Sequence, residues 1–126
     1  MAQTDESNAS RQRDLSVSYD KVGDVPLAQG DLIGALAAYQ ASLALSQRLA
    51  QTNEGNAVWQ RDLSLALTKL AEVLHAQGNT PAAQQYAERS LAIDERLAAL
   101  DPTNVTWQSD VQVTRALVMR LRSKNE

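Results

Sequence analysis

The side chains with catalytic or metal-binding chemistry are few and scattered along the chain. Cysteine is absent and histidine occurs once, at His75, which excludes thiol nucleophiles, disulfides and multi-histidine metal sites. The neighbouring carboxylates Asp5 and Glu6, and likewise Asp94 and Glu95, fall in segments that we expect to be exposed. Glycine-rich phosphate loops, nucleophile elbows and metal-ligand spacings are also missing from the sequence. The sequence therefore predicts no catalytic residue, no metal and no cofactor, and we do not expect an enzyme.

Charge and hydropathy narrow the classes of partner. The 126 residues carry a net charge of -3, which argues against nucleic acid as a partner. Apolar runs stay well short of the roughly 20 residues that cross a bilayer, so no membrane partner is expected. The opening segment MAQTDESNAS is polar and lacks the apolar stretch of a signal peptide. We expect a cytoplasmic protein whose partner is another protein or a peptide.

An internal repeat of 48 residues organises the chain. The segment QRDLS occurs at 12–16 and again at 60–64, and a decayed copy, QSDVQ, begins at Gln108. Aligned without gaps, 12–59 and 60–107 share 19 identities, which include Lys21 with Lys69 and Trp59 with Trp107. We predict one domain over 1–126. It comprises a polar lead at 1–8, repeats at 9–55 and 56–103, a single helix at 104–123 and a tail at 124–126.

Each repeat is predicted to hold two helices. Apolar residues recur at steps of three and four, which is the spacing of one helix face. Capping signals mark the ends: Gly78-Asn79-Thr80-Pro81 places a stop glycine before a cap and a first-turn proline. We predict five helices, at 9–29, 32–52, 57–77, 81–100 and 105–122. Pro26 lies inside the first of them, and we expect a bend or an early end there.

The segment VGDVPLAQGDLIGALAAYQASLAL resembles a tetratricopeptide repeat in its alternation of small and large residues. The small residues Gly23 and Ala35 stand where two helices approach, and Tyr39 and Leu43 stand where gaps are filled. Because that family's repeat has about 34 residues, a 48-residue unit is similar to the long-helix bacterial and kinesin-light-chain type. The resemblance implies an all-α fold: a right-handed α-solenoid of antiparallel helix hairpins with five helices.

The resemblance also implies a concave groove, lined by the first helix of each hairpin, that binds a peptide or a partner helix. Asp20, Asp24 and Glu72 would form an acidic patch that favours a basic segment in the ligand; the alternative is that they are solvated helix faces. The family's carboxylate clamp is rejected, because it needs Lys, Arg and Asn at several of these positions and this chain has Asp20, Asp24 and Thr68 instead. The implied groove residues are Val17, Asp20, Asp24, Leu27, Leu65, Thr68, Glu72, His75, Val113, Ala116 and Arg120.

The two ends of such a stack must be covered or polar. We expect the N-terminal end to be capped, since Ser16, Ser18 and Asp20 intersperse its apolar positions. The last helix carries apolar residues on more than one stripe, and these are candidates for self-association: Val111, Leu117, Val118 and Leu121. The leading function is a non-catalytic protein-interaction module. The alternative is a structural repeat protein that oligomerises through its stack end, for example as a homodimer, or a fragment of a longer array.

Overall fold

Five α-helices form the chain in the computed structural model, which describes the backbone of residues 2–125 and the side chains of residues 8–123. The helices are α1 (Ala2–Ala28), α2 (Leu32–Thr52), α3 (Ala57–Ala76), α4 (Thr80–Leu100) and α5 (Val105–Asn125). Strands do not occur in this described part. The prediction of an all-helical protein with five helices is confirmed. The main difference is that α1 begins at Ala2, within the segment predicted to be a polar lead.

The turns between helices repeat the same chemistry in both copies. Gly30 and Gly78 have φ values of 81° and 87°, the left-handed region that glycine enters without a Cβ clash. The next residue caps the following helix, because the side chain of Asp31 or Asn79 accepts a hydrogen bond from a backbone N–H in its first turn. The short turns therefore fold each pair of helices back on itself.

Pro26 does not end α1 early. The helix continues to Ala28, and α3, which has Leu74 in place of the proline, ends at the equivalent Ala76. The proline lies in the last turn of α1. Because it has no backbone N–H, the helix loses one hydrogen bond there, close to where it ends in any case. Behind it the backbone N–H of Asp31 donates to the Pro26 carbonyl at 2.7 Å, which closes the turn.

Consecutive helices pack against one another along the chain, and α1 also contacts α3. Helix direction follows from the residues that meet: Ser16 bonds Ser42, whereas Asp24, further along α1, bonds Tyr39, earlier in α2. Helices α1 and α2 are therefore antiparallel. The apolar core lies between neighbouring helices in three clusters of mainly alanine, leucine and valine.

Two ion pairs tie the first helices of the pairs together. The Arg13 guanidinium in α1 binds Asp62 in α3 at 2.7 Å, and Arg61 in α3 binds Asp110 in α5 at 2.7 Å. The second contact is the first with each residue number 48 higher. Hydrogen bonds with these carboxylates raise the pKa of both arginines. The sequence repeat is thus a repeat of contacts.

Hydroxyl groups are buried between the helices of each pair. Ser16 lies 3.1 Å from the Ser42 hydroxyl and 2.7 Å from the Ser46 hydroxyl. In the second pair, Ser64 lies 2.8 Å from the Ser90 hydroxyl, and Asp94 replaces the third serine. Buried polar groups need partners, and here each cluster supplies its own.

Membrane-spanning potential is absent from the described helices, none of which combines the necessary length and apolar character.

Candidate functional site

Six of the predicted groove residues line two adjacent hollows between α3 and α5. One hollow, of about 400 Å³, is lined by Thr68, Glu72, Val113, Ala116, Leu117 and Arg120. The other, of about 80 Å³, includes Leu65 and shares Thr68 and Val113 with the first. The ion pair between Arg61 and Asp110 joins α3 to α5 beside the smaller hollow, which Asp110 lines.

The larger hollow combines apolar contact area with two opposite charges. Val113, which lines both hollows, is 63% exposed, and Leu65, which lines the smaller one, is 38% exposed. Glu72 and Arg120 both line the hollow, yet neither forms a hydrogen bond or ion pair among the described residues. An apolar floor between an unpaired carboxylate and an unpaired guanidinium can hold a ligand that is itself apolar in the middle and charged at two points.

One member of the predicted acidic patch, Asp24, is paired within the chain. Asp24 accepts hydrogen bonds from the Tyr39 hydroxyl at 2.5 Å and from the Lys69 ammonium at 2.8 Å. Burial raises the pKa of Asp24, but the hydrogen bonds from Lys69 and Tyr39 outweigh it and lower that pKa below its ordinary value. Lys69 also lies 5.3 Å from the centroid of the Tyr39 ring, within range of a cation–π contact. Asp24 is therefore engaged within the chain.

Asp20 differs from Asp24 because its Oδ1 is buried and has no hydrogen-bond partner among the described residues. Burial raises the pKa of Asp20, while a hydrogen bond from Ser42 and the charge of Lys69 lower it; the net direction is upward. This carboxylate resists ionisation more than a surface aspartate does.

Other predicted groove residues lie outside the hollows between α3 and α5. Leu27 packs against the core cluster that contains Tyr39 and Leu70, and Val17 is half-buried. The His75 ring nitrogen Nδ1 lies 3.1 Å from the Thr80 hydroxyl, across the turn between α3 and α4. These residues make contacts within the chain. The surface that remains open for a ligand is therefore narrower than the predicted groove.

Lys69 is the site residue that sequence reasoning missed. It stands beside Asp24 and over Tyr39, where it sets the charge of this face. The signal in the sequence was its identity with Lys21 in the repeat alignment. The partner itself depends on how α1 and α3 pack, which spacing alone does not give.

The four residues predicted for self-association are buried within the chain. Val111, Leu117, Val118 and Leu121 are at most 7% exposed, because α4 packs on their side of α5. The exposed apolar residue nearest to them in sequence is Met119, at 63%. Self-association stays a prediction, but these four side chains do not form a surface for it.

The predicted polar cap on α1 is wrong. Of the residues expected to provide it, Ser16 is buried and bonded to α2, and Asp20 is half-buried. The side chains that α1 does expose include three apolar ones: Leu15, Val22 and Val25. Ser18 is exposed, but it stands among these apolar side chains, so the outer face of α1 is not a polar cap.

Asp94 is the most buried carboxylate of the described residues, 3% exposed. It accepts hydrogen bonds from Ser64 at 2.5 Å and from Thr114 at 2.7 Å. Burial raises its pKa; these hydrogen bonds lower it, and the net direction is upward. Both carboxylate oxygens are occupied, which makes Asp94 a structural link between α3, α4 and α5.

Groups of three or more histidine, cysteine, aspartate or glutamate residues placed to hold a metal ion do not occur within the described part of the chain. Comparison with known proteins returns no significant match to any protein-family model, curated protein or solved structure.

Proposed function

We propose that the chain is a non-catalytic, cytoplasmic protein-interaction module of the tetratricopeptide type, a right-handed solenoid of antiparallel hairpins. The recurrence of one ion pair at 13–62 and 61–110 supports this assignment, since a solenoid repeats its inter-unit contacts. The two turns with the same glycine and capping chemistry, at Gly30-Asp31 and Gly78-Asn79, support it as well. Long helices of about 20 residues fit the long-helix bacterial variant of that family.

The ligand that fits the hollows between α3 and α5 is a peptide or a partner helix. Its apolar side chain would contact Val113 and Leu65, which are exposed without cover. A basic group beside that side chain would reach Glu72, and an acidic group would reach Arg120. The single observation that carries this proposal is that Glu72 and Arg120 line one hollow and leave each other unpaired.

This ligand differs from the basic segment expected from the sequence. With Asp24 paired to Lys69, the attraction for a basic group is concentrated at Glu72. A strongly basic peptide would meet Lys69 and Arg120 as well, and like charges oppose binding. We therefore propose a partner of mixed charge around an apolar anchor.

Selection from a library of random peptides displayed on phage tests the proposal. Peptides enriched on the wild-type chain are measured by fluorescence anisotropy against Val113→Glu, with Met119→Glu as the matched control. Both positions lie on α5 and are 63% exposed, but only Val113 lines the hollow. We expect Val113→Glu to weaken binding about tenfold or more, equivalent to about 1.4 kcal/mol, and Met119→Glu to leave it unchanged.

Charge variants complete the design. Glu72→Gln should weaken the binding of peptides that carry a basic residue and leave the binding of neutral peptides unchanged. Arg120→Gln should weaken the binding of peptides that carry an acidic residue and likewise leave neutral ones unchanged. The groove proposal is overturned if the selection enriches nothing, or if every enriched peptide binds the wild type and Val113→Glu equally.

The second candidate function is self-assembly through a stack end. The observation that favours it is the apolar stripe on α1, whose members Leu15, Val22 and Val25 are 47–59% exposed. Large exposed apolar side chains on one helix face are typical of a surface that meets another protein.

A further inference from the structure

The outer face of α1 has the residue pattern of a helix–helix interface, but no described helix packs on it. Leu15, Ser18, Val22 and Val25 follow steps of three, four and three, so they lie on one side of the helix. All four are exposed, and no described helix covers them. Three of the four are apolar, and Ser18 lies between Leu15 and Val22.

The same face is covered in the two later helices. The residues 48 positions further on are all buried in α3: Leu63, Ala66, Leu70 and Val73. The residues 96 positions further on are all buried in α5: Val111, Thr114, Val118 and Leu121. In α3 this face packs on α2, and in α5 it packs on α4. The chain thus shows twice which kind of helix the face accepts.

A glutamine at the edge of this face is also bonded in α3 and α5 but not in α1. Gln60 and Gln108 donate to carbonyls of the preceding helix, those of Ala50 and Ala98, at 3.2 Å and 3.1 Å. Gln12 occupies the same position on α1 and makes no hydrogen bond among the described residues.

The aspartate of the QRDLS motif is likewise paired in α3 and at the equivalent position of α5, but not in α1. Asp62 and Asp110 each pair with an arginine of the preceding first helix. Asp14, the equivalent residue of α1, is exposed and forms no ion pair among the described residues. Helix α1 therefore presents an apolar stripe, an amide donor and a carboxylate, all without partners.

Ser18 identifies the matching surface. In α5 the Thr114 hydroxyl donates to Asp94 of α4, whereas α3 has Ala66 at this position, facing a helix that carries Ser46 in place of Asp94. Helix α1 has a hydroxyl here, which now donates to the Asp14 carbonyl of its own helix at 2.9 Å. Its chemistry matches the surface of α4, which has the carboxylate.

Lys21 adds a further match. Its equivalent Lys69 binds Asp24, the acidic residue of the preceding first helix, at 2.8 Å. On the pair α3–α4 the residue equivalent to Asp24 is Glu72, which has no partner among the described residues. A helix with the sequence of α1 placed on α4 would therefore bring a lysine to an unpaired glutamate.

We infer that the outer face of α1 docks on the α3–α4 pair of a second copy of this chain, in the place that α5 holds within its own chain. Gln12, Asp14 and Ser18 of one copy would then meet the Ala98 carbonyl, Arg61 and Asp94 of the other. The two surfaces differ, so the contact is head-to-tail and can continue from copy to copy. This inference gives the second candidate function a defined geometry and does not depend on the groove.

Helix α5 controls access to that place. It is tethered to α4 by a short loop, which gives it an effective concentration on the order of millimolar. It also buries Leu117 where α1 offers Lys21, and Leu121 where α1 offers the smaller Val25. The wild-type chain should therefore be monomeric at micromolar concentration and assemble when α5 is released.

Full-length Leu121→Glu tests the inference, because a charge at this fully buried position expels α5 from α4. In sedimentation velocity at micromolar concentration we expect the mass to rise at least twofold with increasing concentration. Adding Val22→Glu on α1 should return the protein to a monomer. Adding Ile33→Glu, at an exposed position of α2, should leave the assembly intact.

Cross-linking reports the orientation, since the chain has no cysteine of its own. Asp14→Cys in one sample of Leu121→Glu and Arg61→Cys in another are mixed and oxidised. We expect a disulfide between position 14 of one copy and position 61 of the other. Disulfides only between two copies of position 14 would show α1 packed on α1, and would overturn the head-to-tail contact while leaving self-assembly in place.

Two further outcomes overturn the inference: a helical Leu121→Glu that stays monomeric, and an assembly that Val22→Glu does not dissolve. If circular dichroism shows Leu121→Glu to be unfolded, the same cysteine pair is mixed in the wild-type background at about millimolar concentration, where α1 competes with the tethered α5. Oxidation then traps exchanged pairs, and the absence of the 14–61 product contradicts the proposal.

Discussion

The helix pair α1–α2 buries Tyr39 against Gly23, whereas α3–α4 has Ala87 and Ala71 at the same two positions. The exchange is one of volume: a Cβ on Gly23 would lie 2.6 Å from the Tyr39 ring, so a large side chain on one helix requires none on the other. Both tyrosine and alanine solutions are fully buried. The comparison teaches that two different residue combinations, a tyrosine with a glycine or two alanines, fill the same position between paired helices.

The polar clusters differ in a second way. The cluster of Ser16, Ser42 and Ser46 joins two helices, whereas Asp94 in the other pair reaches a third helix through Thr114. A carboxylate has two acceptor oxygens, and here each receives one hydroxyl. One serine-to-aspartate difference between the copies therefore gives α5 a buried hydrogen bond to α4 that the α2–α3 contact does not have.

The largest effect should come from Tyr39→Ala. Removing a fully buried aromatic side chain leaves a cavity and breaks its bond with Asp24, so we expect a loss of about 3–5 kcal/mol in the free energy of unfolding. Urea denaturation measures it. Ala87→Gly, at the same position of the other copy, should cost about 1 kcal/mol. Equal losses at the two positions would contradict the contrast between the copies.

Gly23→Ala should cost less, about 1–3 kcal/mol, because its new Cβ forces the Tyr39 ring to move. In the Tyr39→Ala background the same substitution should be nearly neutral, since the pair then matches Ala71 and Ala87. A double-mutant cycle by urea denaturation gives this coupling. Additive losses would show that Gly23 is required for a reason other than the ring.

Asp94→Ser makes the second polar cluster like the first. We expect a loss of about 1–3 kcal/mol, because the Thr114 hydroxyl is left buried without its acceptor. Ser46→Ala in the other copy should cost less, about 0.5–1.5 kcal/mol. Thermal unfolding of both variants beside the wild type measures the difference, and a larger loss from Ser46→Ala would contradict it.

The pH dependence of the Asp94→Ser effect has a definite sign. Burial raises the pKa of Asp94 above the ordinary aspartate value of about 3.9, so the folded chain binds this proton more tightly than the unfolded chain. The stability advantage of the wild type over Asp94→Ser should therefore fall as the pH rises from about 3.9 to the raised value, and stay level above it. Urea titrations across acidic pH check this, and an advantage that grows with pH would reverse the assignment.

The smallest effects should come from the ion pairs, where the copies are alike. Arg13→Gln and Arg61→Gln should each cost about 0.2–1 kcal/mol, since both pairs are partly exposed to solvent. Added salt should reduce both losses in parallel. Stability curves at low and high ionic strength test the equality, and a loss confined to Arg61→Gln would show that the two contacts are not equivalent.

Local chemistry allowed the helices to be predicted well. Gly78-Asn79-Thr80-Pro81 marks the start of α4 because each residue acts within one turn of the chain. The early start of α1 was missed since its first residues are polar and show no apolar period. The predicted lead at 1–8 and tail at 124–126 have side chains that lie largely outside the described residues.

The site was predicted in part, and the failures have one cause. Periodicity finds the apolar face of a helix but not the neighbour that covers it. Val118 was expected to be open and is covered by α4, whereas Val22, at the equivalent position of α1, has no helix on it. Leu65 and Val113 line one hollow together, because the same position of two first helices faces the same side of the stack.

The ion pair that returns after 48 residues has a consequence for how this chain came to exist. Any segment of 48 residues begins and ends at equivalent positions of two successive helix pairs. A tandem duplication would therefore restore every junction wherever its breakpoints fell. The number of units can therefore change by a single duplication or deletion, and arrays of different length can evolve from one another in one step.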